Sequence, residues 1–77
     1  MSVAAKVKEI ILEILDVNEA EIIPAADLRK DLHASSVDLV EIIAAVENAF
    51  DVTISDEEAP SLRTVQAICD FIQVKTA

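Results

Sequence analysis

The chain has 77 residues, of which 53% are hydrophobic, and its 15 acidic side chains against 6 basic ones give a formal net charge of −9 at pH 7. This length predicts a single domain over residues 1–77, because two separate cores do not fit into so short a chain. The negative charge disfavours binding to nucleic acids or to anionic membranes, because both ligands carry phosphates that basic side chains must neutralise.

The cysteine content and the N-terminal sequence indicate the cellular compartment in which the protein is expected. Cys69 is the only cysteine, so no intrachain disulfide can form and no cysteine-rich metal site is expected. The segment MSVAAKVKEI lacks the apolar core and cleavage pattern of a signal peptide. No uninterrupted apolar stretch reaches the roughly 18 residues of a membrane span. We therefore expect a cytoplasmic protein without a membrane span.

The first predicted helix covers about residues 3–16. Its apolar residues recur at helical spacing, and its charged residues lie largely on the opposite face. The apolar residues are Val3, Val7, Ile10, Ile11, Ile14 and Leu15. Asn18 is expected to adopt the left-handed conformation that ends many helices.

Residues 17–35 form a long connection, since Pro24 discourages a helix through it. Four of its side chains are too apolar for a solvated linker, namely Ile22, Ile23, Leu28 and Leu32. The prediction is a loop that crosses the core, with one turn near residues 25–28. Connections of this length in compact domains often carry function.

The second predicted helix, about residues 36–50, has the strongest periodicity in the chain, and Asp51 is expected to end it. The residues assigned to its buried face are Leu39, Val40, Ile43, Val46, Ala49 and Phe50. The residues assigned off that face are Val37, Glu41, Ala44, Ala45 and Asn48.

Two shorter signals follow. Ser55 and Glu58 have the spacing of a capping box, and Pro60 limits the third helix to a turn or two. Thr64 is expected to cap a fourth helix over about residues 65–74. Its buried stripe contains Val65, Ile68, Cys69 and Ile72, with Cys69 as a small apolar residue.

These elements predict an all-α fold. Three longer helices, one short third helix and a long first loop make a small four-helix bundle. Such a bundle has little room for a deep polar active site.

Two serines precede the second helix in the segment DLHASSVDLVEII, residues 31–43. Ser35 lies three residues before Asp38, close to the capping-box pattern. Ser36 falls in the first turn, where a phosphate ester would meet unsatisfied N–H groups and the positive end of the helix dipole. Spacing alone leaves two readings open: both serines cap the helix, or Ser36 carries a group.

The chain resembles the acyl carrier proteins along essentially its whole length. Their pattern is an acidic residue and Leu, then Gly, any residue, Asp, Ser and Leu, before an acidic amphipathic helix. The corresponding segment here is DLHASSV, followed by DLVEIIAAVENAFDVTISDEEA and later by TVQAICDFI. The resemblance implies an acyl-carrier-protein-like fold and a 4′-phosphopantetheine group on Ser36. Its thiol would hold acyl intermediates as thioesters for enzymes of fatty-acid or a related specialised acyl pathway.

The resemblance also implies partners for a monomeric carrier. They are a phosphopantetheinyl transferase and acyl-synthesising or acyl-transferring enzymes with basic docking patches. The implied recognition residues are the acids Asp38, Glu41, Glu47 and Asp56, with Val37 and Ala44 as apolar neighbours. A rival reading from a different class is an unmodified acidic helical module for interaction or assembly. The sequence does not name the acyl cargo.

Several positions depart from the family pattern. His33 replaces the usual Gly, and Ser35 replaces the Asp before the modified serine. Ala44 stands where many fatty-acid carriers have a larger apolar residue, and Pro60 shortens a helix that forms one wall of the expected acyl channel. Together these differences predict a specialised carrier.

His33 and Ser36 could also suggest a hydrolase. The chain has no glycine, so it lacks a Gly-containing nucleophile elbow, and no Asp-His-Ser arrangement is apparent. We therefore expect no enzyme activity. No EF-hand loop accompanies the acids at 56–58, so no metal site is predicted.

Overall fold

A computed structural model describes residues 2–76 of the chain. It contains three α-helices, α1 (Val3–Ile14), α2 (Ser36–Phe50) and α3 (Val65–Thr76), and two 3₁₀ helices, Glu19–Glu21 and Ala59–Ser61. No β-strand occurs within this described part. The predicted all-α fold, with three longer helices, a short helix before the last one and a long first loop, is confirmed.

The helices enclose an aliphatic core, in which α1 packs against both α2 and α3. Each α-helix contributes a fully buried isoleucine, namely Ile11, Ile42 and Ile72. Truncating such a side chain to alanine typically costs about 2–5 kcal/mol, a large share of the stability of a small domain. Within residues 2–76, no helix is both long enough and apolar enough to cross a bilayer.

Helix α1 is shorter than predicted, because Leu15 already has an extended backbone with φ −102° and ψ 146°. The Ser2 hydroxyl caps its start by accepting a hydrogen bond from the backbone N–H of Ala5 at 3.0 Å. The prediction for Asn18 is wrong, since this residue is extended at φ −82° and ψ 146°. Its N–H instead donates to the Glu21 carboxylate at 3.1 Å, at the start of the first 3₁₀ helix.

The connection between α1 and α2 crosses the core as predicted. Ile22, Leu28 and Leu32 are buried, whereas Ile23, grouped with them as too apolar for a solvated linker, is 53% exposed. The turn expected near residues 25–28 is displaced, because tight turns occur at 24–25 and at 28–31.

Three main-chain hydrogen bonds fasten this connection to the start of α3. The N–H of Leu28 donates to the carbonyl of Arg63 at 2.8 Å. In the other direction, Val65 donates to Ala26 at 3.2 Å and Gln66 donates to Pro24 at 2.9 Å. The loop is therefore held in place by its backbone as well as by its buried side chains.

Helix α2 has the predicted bounds and ends at Asp51, whose φ of 53° is left-handed. Its buried face was predicted imperfectly: Val40 is 67% exposed and Ala49 is exposed, whereas Ile42 is 1% exposed. Successive helical residues are rotated by about 100°, so Val40 lies well away from the stripe centred on Leu39 and Val46.

The helix caps predicted in the second half of the chain are present in the structure. Ser55 and Glu58 make the reciprocal capping box, with both hydrogen bonds at 3.1 Å. The Thr64 hydroxyl accepts from the N–H of Ala67 at 3.0 Å, as predicted. Helix α3 continues two residues beyond the predicted end, and Cys69 on its inner face is buried.

Candidate functional site

The two serines before α2 have different roles in the structure. Ser35 is the N-cap: its hydroxyl accepts from the N–H of Asp38 at 3.1 Å, and its own N–H donates to the Asp38 carboxylate at 2.9 Å. The capping box predicted from the sequence is therefore present. Because Ser35 satisfies the cap, the helix does not need the hydroxyl of Ser36 for this purpose.

Ser36 is the first residue of α2, and its side chain is exposed. Its Oγ accepts a hydrogen bond from Nη1 of Arg29 at 3.2 Å. The hydroxyl thus lies between the N-terminal end of a helix and a guanidinium group. Both features favour a negatively charged substituent on this oxygen.

Asp27 fixes the turn that carries Arg29. One oxygen of its carboxylate accepts the N–H groups of Arg29 and Lys30, both at 2.9 Å, and its own N–H donates to Asp31 at 2.7 Å. The hydrogen bond from Lys30 is the main cause of a pKa of Asp27 below its ordinary value of 3.8. The bond from Arg29 and the positive charges of Arg63 and Lys30 lower it further.

His33 occupies the position where the family pattern has Gly. Its φ of 58° places it in the left-handed region, which glycine reaches without strain. Histidine is one of the few other residue types enriched there. Within residues 2–76, no hydrogen bond joins His33 to Ser36, so the two do not form a nucleophile–base pair.

The four predicted recognition acids fall into two groups. The carboxylates of Asp38 and Glu47 bind backbone N–H groups, those of Ser35 and Ile54 respectively. Glu41 and Asp56 are exposed, and neither forms an ion pair within the described part of the chain.

An exposed apolar strip runs along α2 from the serine. Val37 is 65% exposed, Val40 is 67% exposed, and Ala44 is also exposed. Together with Glu41 they share the outward face of the helix, at spacings of three and four residues. Val40 was missed as a surface residue because it was assigned to the core; helical phase relative to Leu39 and Val46 could have identified it.

A cavity of about 280 Å³ opens beside this end of the molecule. Its lining is mainly apolar, with two arginines at the edge. The lining residues are Leu28, Arg29, Leu39, Ala59, Pro60, Leu62 and Arg63. Since Arg29 also contacts Ser36, the cavity and the serine are neighbours.

Comparison with known proteins shows the family of the chain. Residues 5–72 match the family model described as "Phosphopantetheine attachment site". The acyl carrier protein of Solidesulfovibrio magneticus is 51% identical over 75 residues, covering 97% of this chain and 96% of that protein. The chain belongs to the acyl carrier protein family.

Other acyl carrier proteins are similar over comparable lengths. That of Thermosynechococcus vestitus is 47% identical over 72 residues, covering 94% of this chain and 89% of that protein. That of Buchnera aphidicola subsp. Acyrthosiphon pisum is 46% identical over 74 residues, covering 96% of this chain and 92% of that protein. The structure of the Enterococcus faecalis acyl carrier protein superposes with a TM-score of 0.82 at 31% identity, covering 97% of this chain and 99% of that one.

As an acyl carrier protein, the chain is a carrier and not an enzyme. It bears a covalently attached 4′-phosphopantetheine group and delivers acyl intermediates. It therefore interacts with a phosphopantetheinyl transferase and with acyl-handling enzymes. An exposed serine hydroxyl beside a guanidinium, at a helix N-terminus, suits the phosphate ester of such a group.

Proposed function

We propose that Ser36 is the residue that bears the 4′-phosphopantetheine group. The observation that carries this proposal is the division of roles between adjacent hydroxyls. Ser35 is engaged in the helix cap, whereas Ser36 is exposed and receives a hydrogen bond from Arg29. The attached group supplies a thiol for acyl thioesters, and the chain supplies the anchor and the surface that partners bind.

The attachment site is tested by intact mass after incubation with coenzyme A and a broad-specificity phosphopantetheinyl transferase. We expect the wild type to gain one phosphopantetheinyl group and Ser36→Ala to gain none. Ser35→Ala is the matched control: it should lose about 1 kcal/mol of stability with the cap, yet still be modified. Modification of Ser36→Ala would show that another residue is the anchor.

We also propose that the outward face of α2 beside Ser36 is the docking surface for basic patches on partner enzymes. Val37, Val40 and Ala44 supply exposed apolar contact, and Glu41 lies among them. Asp56 adds an exposed charge after α2. A charged rim around a small apolar patch favours rapid, steered association over tight binding, as a protein that must leave each partner requires.

Asp38 and Glu47 contribute charge to the same proposed surface, but they are poor choices for testing it. Both carboxylates hold backbone N–H groups, so replacing them alters the fold as well as the surface. Glu41→Lys and Asp56→Lys are the cleaner variants. Glu13→Lys is their control, since Glu13 is an exposed acid on α1 without an ion pair within residues 2–76.

The docking experiment measures the kcat/KM of the transferase for these variants at low and high salt. We expect Glu41→Lys and Asp56→Lys each to lower it roughly fivefold to tenfold at low salt, and Glu13→Lys to lower it much less. The difference should shrink at about 0.5 M salt, where screening is strong. Equal losses in all three variants would show that only net charge matters.

We also propose that the protein is a monomer and that it is located in the cytoplasm. A net charge of −9 opposes self-association, which supports a monomer. A single buried cysteine suits the reducing cytoplasm. Sedimentation equilibrium of the modified protein tests the first point, and fractionation of the source cells tests the second.

A further inference from the structure

The contact between Arg29 and Ser36 joins a loop side chain to the residue proposed to be modified. Nη1 of Arg29 donates to Ser36 Oγ at 3.2 Å, and both residues are exposed. Within residues 2–76, no carboxylate lies within 4.0 Å of this guanidinium. An arginine has five N–H donors, so most of its hydrogen-bonding capacity remains available for an anion.

The backbone beneath Arg29 is held on both sides. Its own N–H is bound by the Asp27 carboxylate at 2.9 Å. The preceding residue, Leu28, is 1% exposed, donates to the carbonyl of Arg63 at 2.8 Å and accepts from Ala34 at 2.8 Å. The backbone of Arg29 is therefore held in place, and only the rotamers of its side chain remain to be fixed when the guanidinium binds an anion.

The carboxylate closest in sequence to Ser36 does not compete for Arg29. Asp38 is bound to the N–H of Ser35 at 2.9 Å, and residue 35 is an uncharged serine. A phosphate ester on Ser36 would thus be the nearest anion to a guanidinium whose planar fork matches phosphate oxygens.

We propose that Arg29 holds the phosphodiester through which the prosthetic group is attached to Ser36. The hydrogen bond to the hydroxyl oxygen is then replaced by charge-assisted bonds to the non-bridging phosphate oxygens. This inference rests on the proposed attachment at Ser36. It assigns to Arg29 a positioning role: it orients the base of the arm and neutralises the charge that modification adds to an already acidic surface.

The test uses the modified forms of the wild type, Arg29→Ala and Lys30→Ala. Lys30 is the matched control, because it has the same charge and lies on the same turn but makes no hydrogen bond to Ser36 among the described residues. Mass spectrometry first establishes that each protein carries the group, and the ³¹P chemical shift of its phosphodiester is then measured at low salt.

We expect the ³¹P resonance of Arg29→Ala to move away from the position shared by the wild type and Lys30→Ala. We also expect the thermal shift between unmodified and modified protein to be less favourable in Arg29→Ala, by about 3 °C. Salt at about 0.5 M should remove that difference. Arg29→Lys keeps the positive charge but lacks the planar guanidinium. Its ³¹P resonance and its thermal shift should therefore lie between those of the wild type and Arg29→Ala.

Three results would overturn the inference, and they are distinguishable. Modified proteins with identical ³¹P resonances and thermal shifts would remove the role of Arg29 while leaving attachment at Ser36 intact. Failure of the wild type to gain the group at Ser36 would remove both proposals. A measurement on the wild type alone guards against a folding defect in the variants: the guanidinium ¹⁵N signals of Arg29 should shift on modification, and unchanged signals would contradict the contact.

Discussion

The Glu47 carboxylate in α2 accepts a hydrogen bond from the backbone N–H of Ile54, seven residues later, at 2.8 Å. The carbonyl of Glu47 also accepts the N–H groups of Asp51 and Val52, at the end of the same helix. One residue therefore fastens the segment after α2 through both its main chain and its side chain. The family resemblance implies a recognition acid at this position, and the structure adds a structural role for it.

We expect Glu47→Ala to lower the free energy of unfolding by about 1.5–3 kcal/mol, because it leaves a partly buried N–H without its charged acceptor. Glu47→Gln retains an acceptor and should lose less. Glu41→Ala is the control on the same helix and should stay within about 0.5 kcal/mol of the wild type. Urea denaturation measures all three, and equal stability of Glu47→Ala and Glu41→Ala would contradict the structural role.

His33→Gly should stabilise the protein. A residue with a Cβ in the left-handed region costs about 1–2 kcal/mol, and glycine removes that strain while losing more chain entropy on folding. The expected net gain of about 1 kcal/mol corresponds to a rise in Tm of roughly 4–8 °C. His33→Ala keeps the Cβ and should show no such gain, so calorimetry of the two variants separates strain relief from loss of the imidazole.

Asp27 should make the stability of the folded protein depend on pH below about 4. Its pKa in the folded state lies below the ordinary value of 3.8, chiefly because the carboxylate accepts a hydrogen bond from Lys30. The contribution of the carboxylate is therefore fully present above pH 3.8 and is lost as the pH falls through the lowered pKa. Asp27→Asn should have a lower Tm than the wild type at pH 7, and the gap should narrow as the pH falls below about 4. A gap that stays constant down to pH 2.5 would show that the charge of Asp27 does not contribute.

Cys69 should react slowly while the protein is folded. It is 6% exposed, and burial raises the pKa of its thiol above the ordinary value of 9.0, with the neighbouring negative charge of Asp70 acting in the same direction. Both effects reduce the accessible thiolate. Alkylation by iodoacetamide at pH 8 should be at least about tenfold slower in the native protein than in urea. Equal rates in the two states would show that the thiol is open to solvent.

The cavity between Leu39 and Leu62 is predicted to shelter part of an acyl chain. Loading the carrier with octanoate should then raise Tm above that of the acetylated form, since more apolar surface leaves water. Ala59→Leu narrows the same cavity and should reduce the difference between the two cargoes. An equal Tm for both cargoes in the wild type would place the longer chain outside the protein.

Elements governed by local chemistry could be predicted from the sequence. The cap at Ser35 and the box between Ser55 and Glu58 depend on residues three positions apart, and both are confirmed, as are the bounds of α2. Thr64 likewise caps α3. The exposed position of Ser36 follows from the same local logic.

Features that depend on tertiary contacts could not be predicted in this way. The hydrogen bond between Glu47 and Ile54 requires a particular fold of the residues between them. The contact of Arg29 with Ser36 requires the loop to bring residue 29 to the start of α2. Ile23 is apolar and directly follows the buried Ile22, and the sequence alone does not distinguish its exposed position from that of its buried neighbour.

The three main-chain hydrogen bonds between the first loop and the start of α3 also couple the local opening of two segments that are far apart in the sequence. The amide protons of Leu28, Val65 and Gln66 are covered by one another's segments, so none can exchange with solvent unless the two segments part. The three amides are therefore expected to exchange as one cooperative unit. Because Arg29 follows Leu28 directly, the exchange rate of the Leu28 amide would also report how often the loop that carries Arg29 is released from the start of α3.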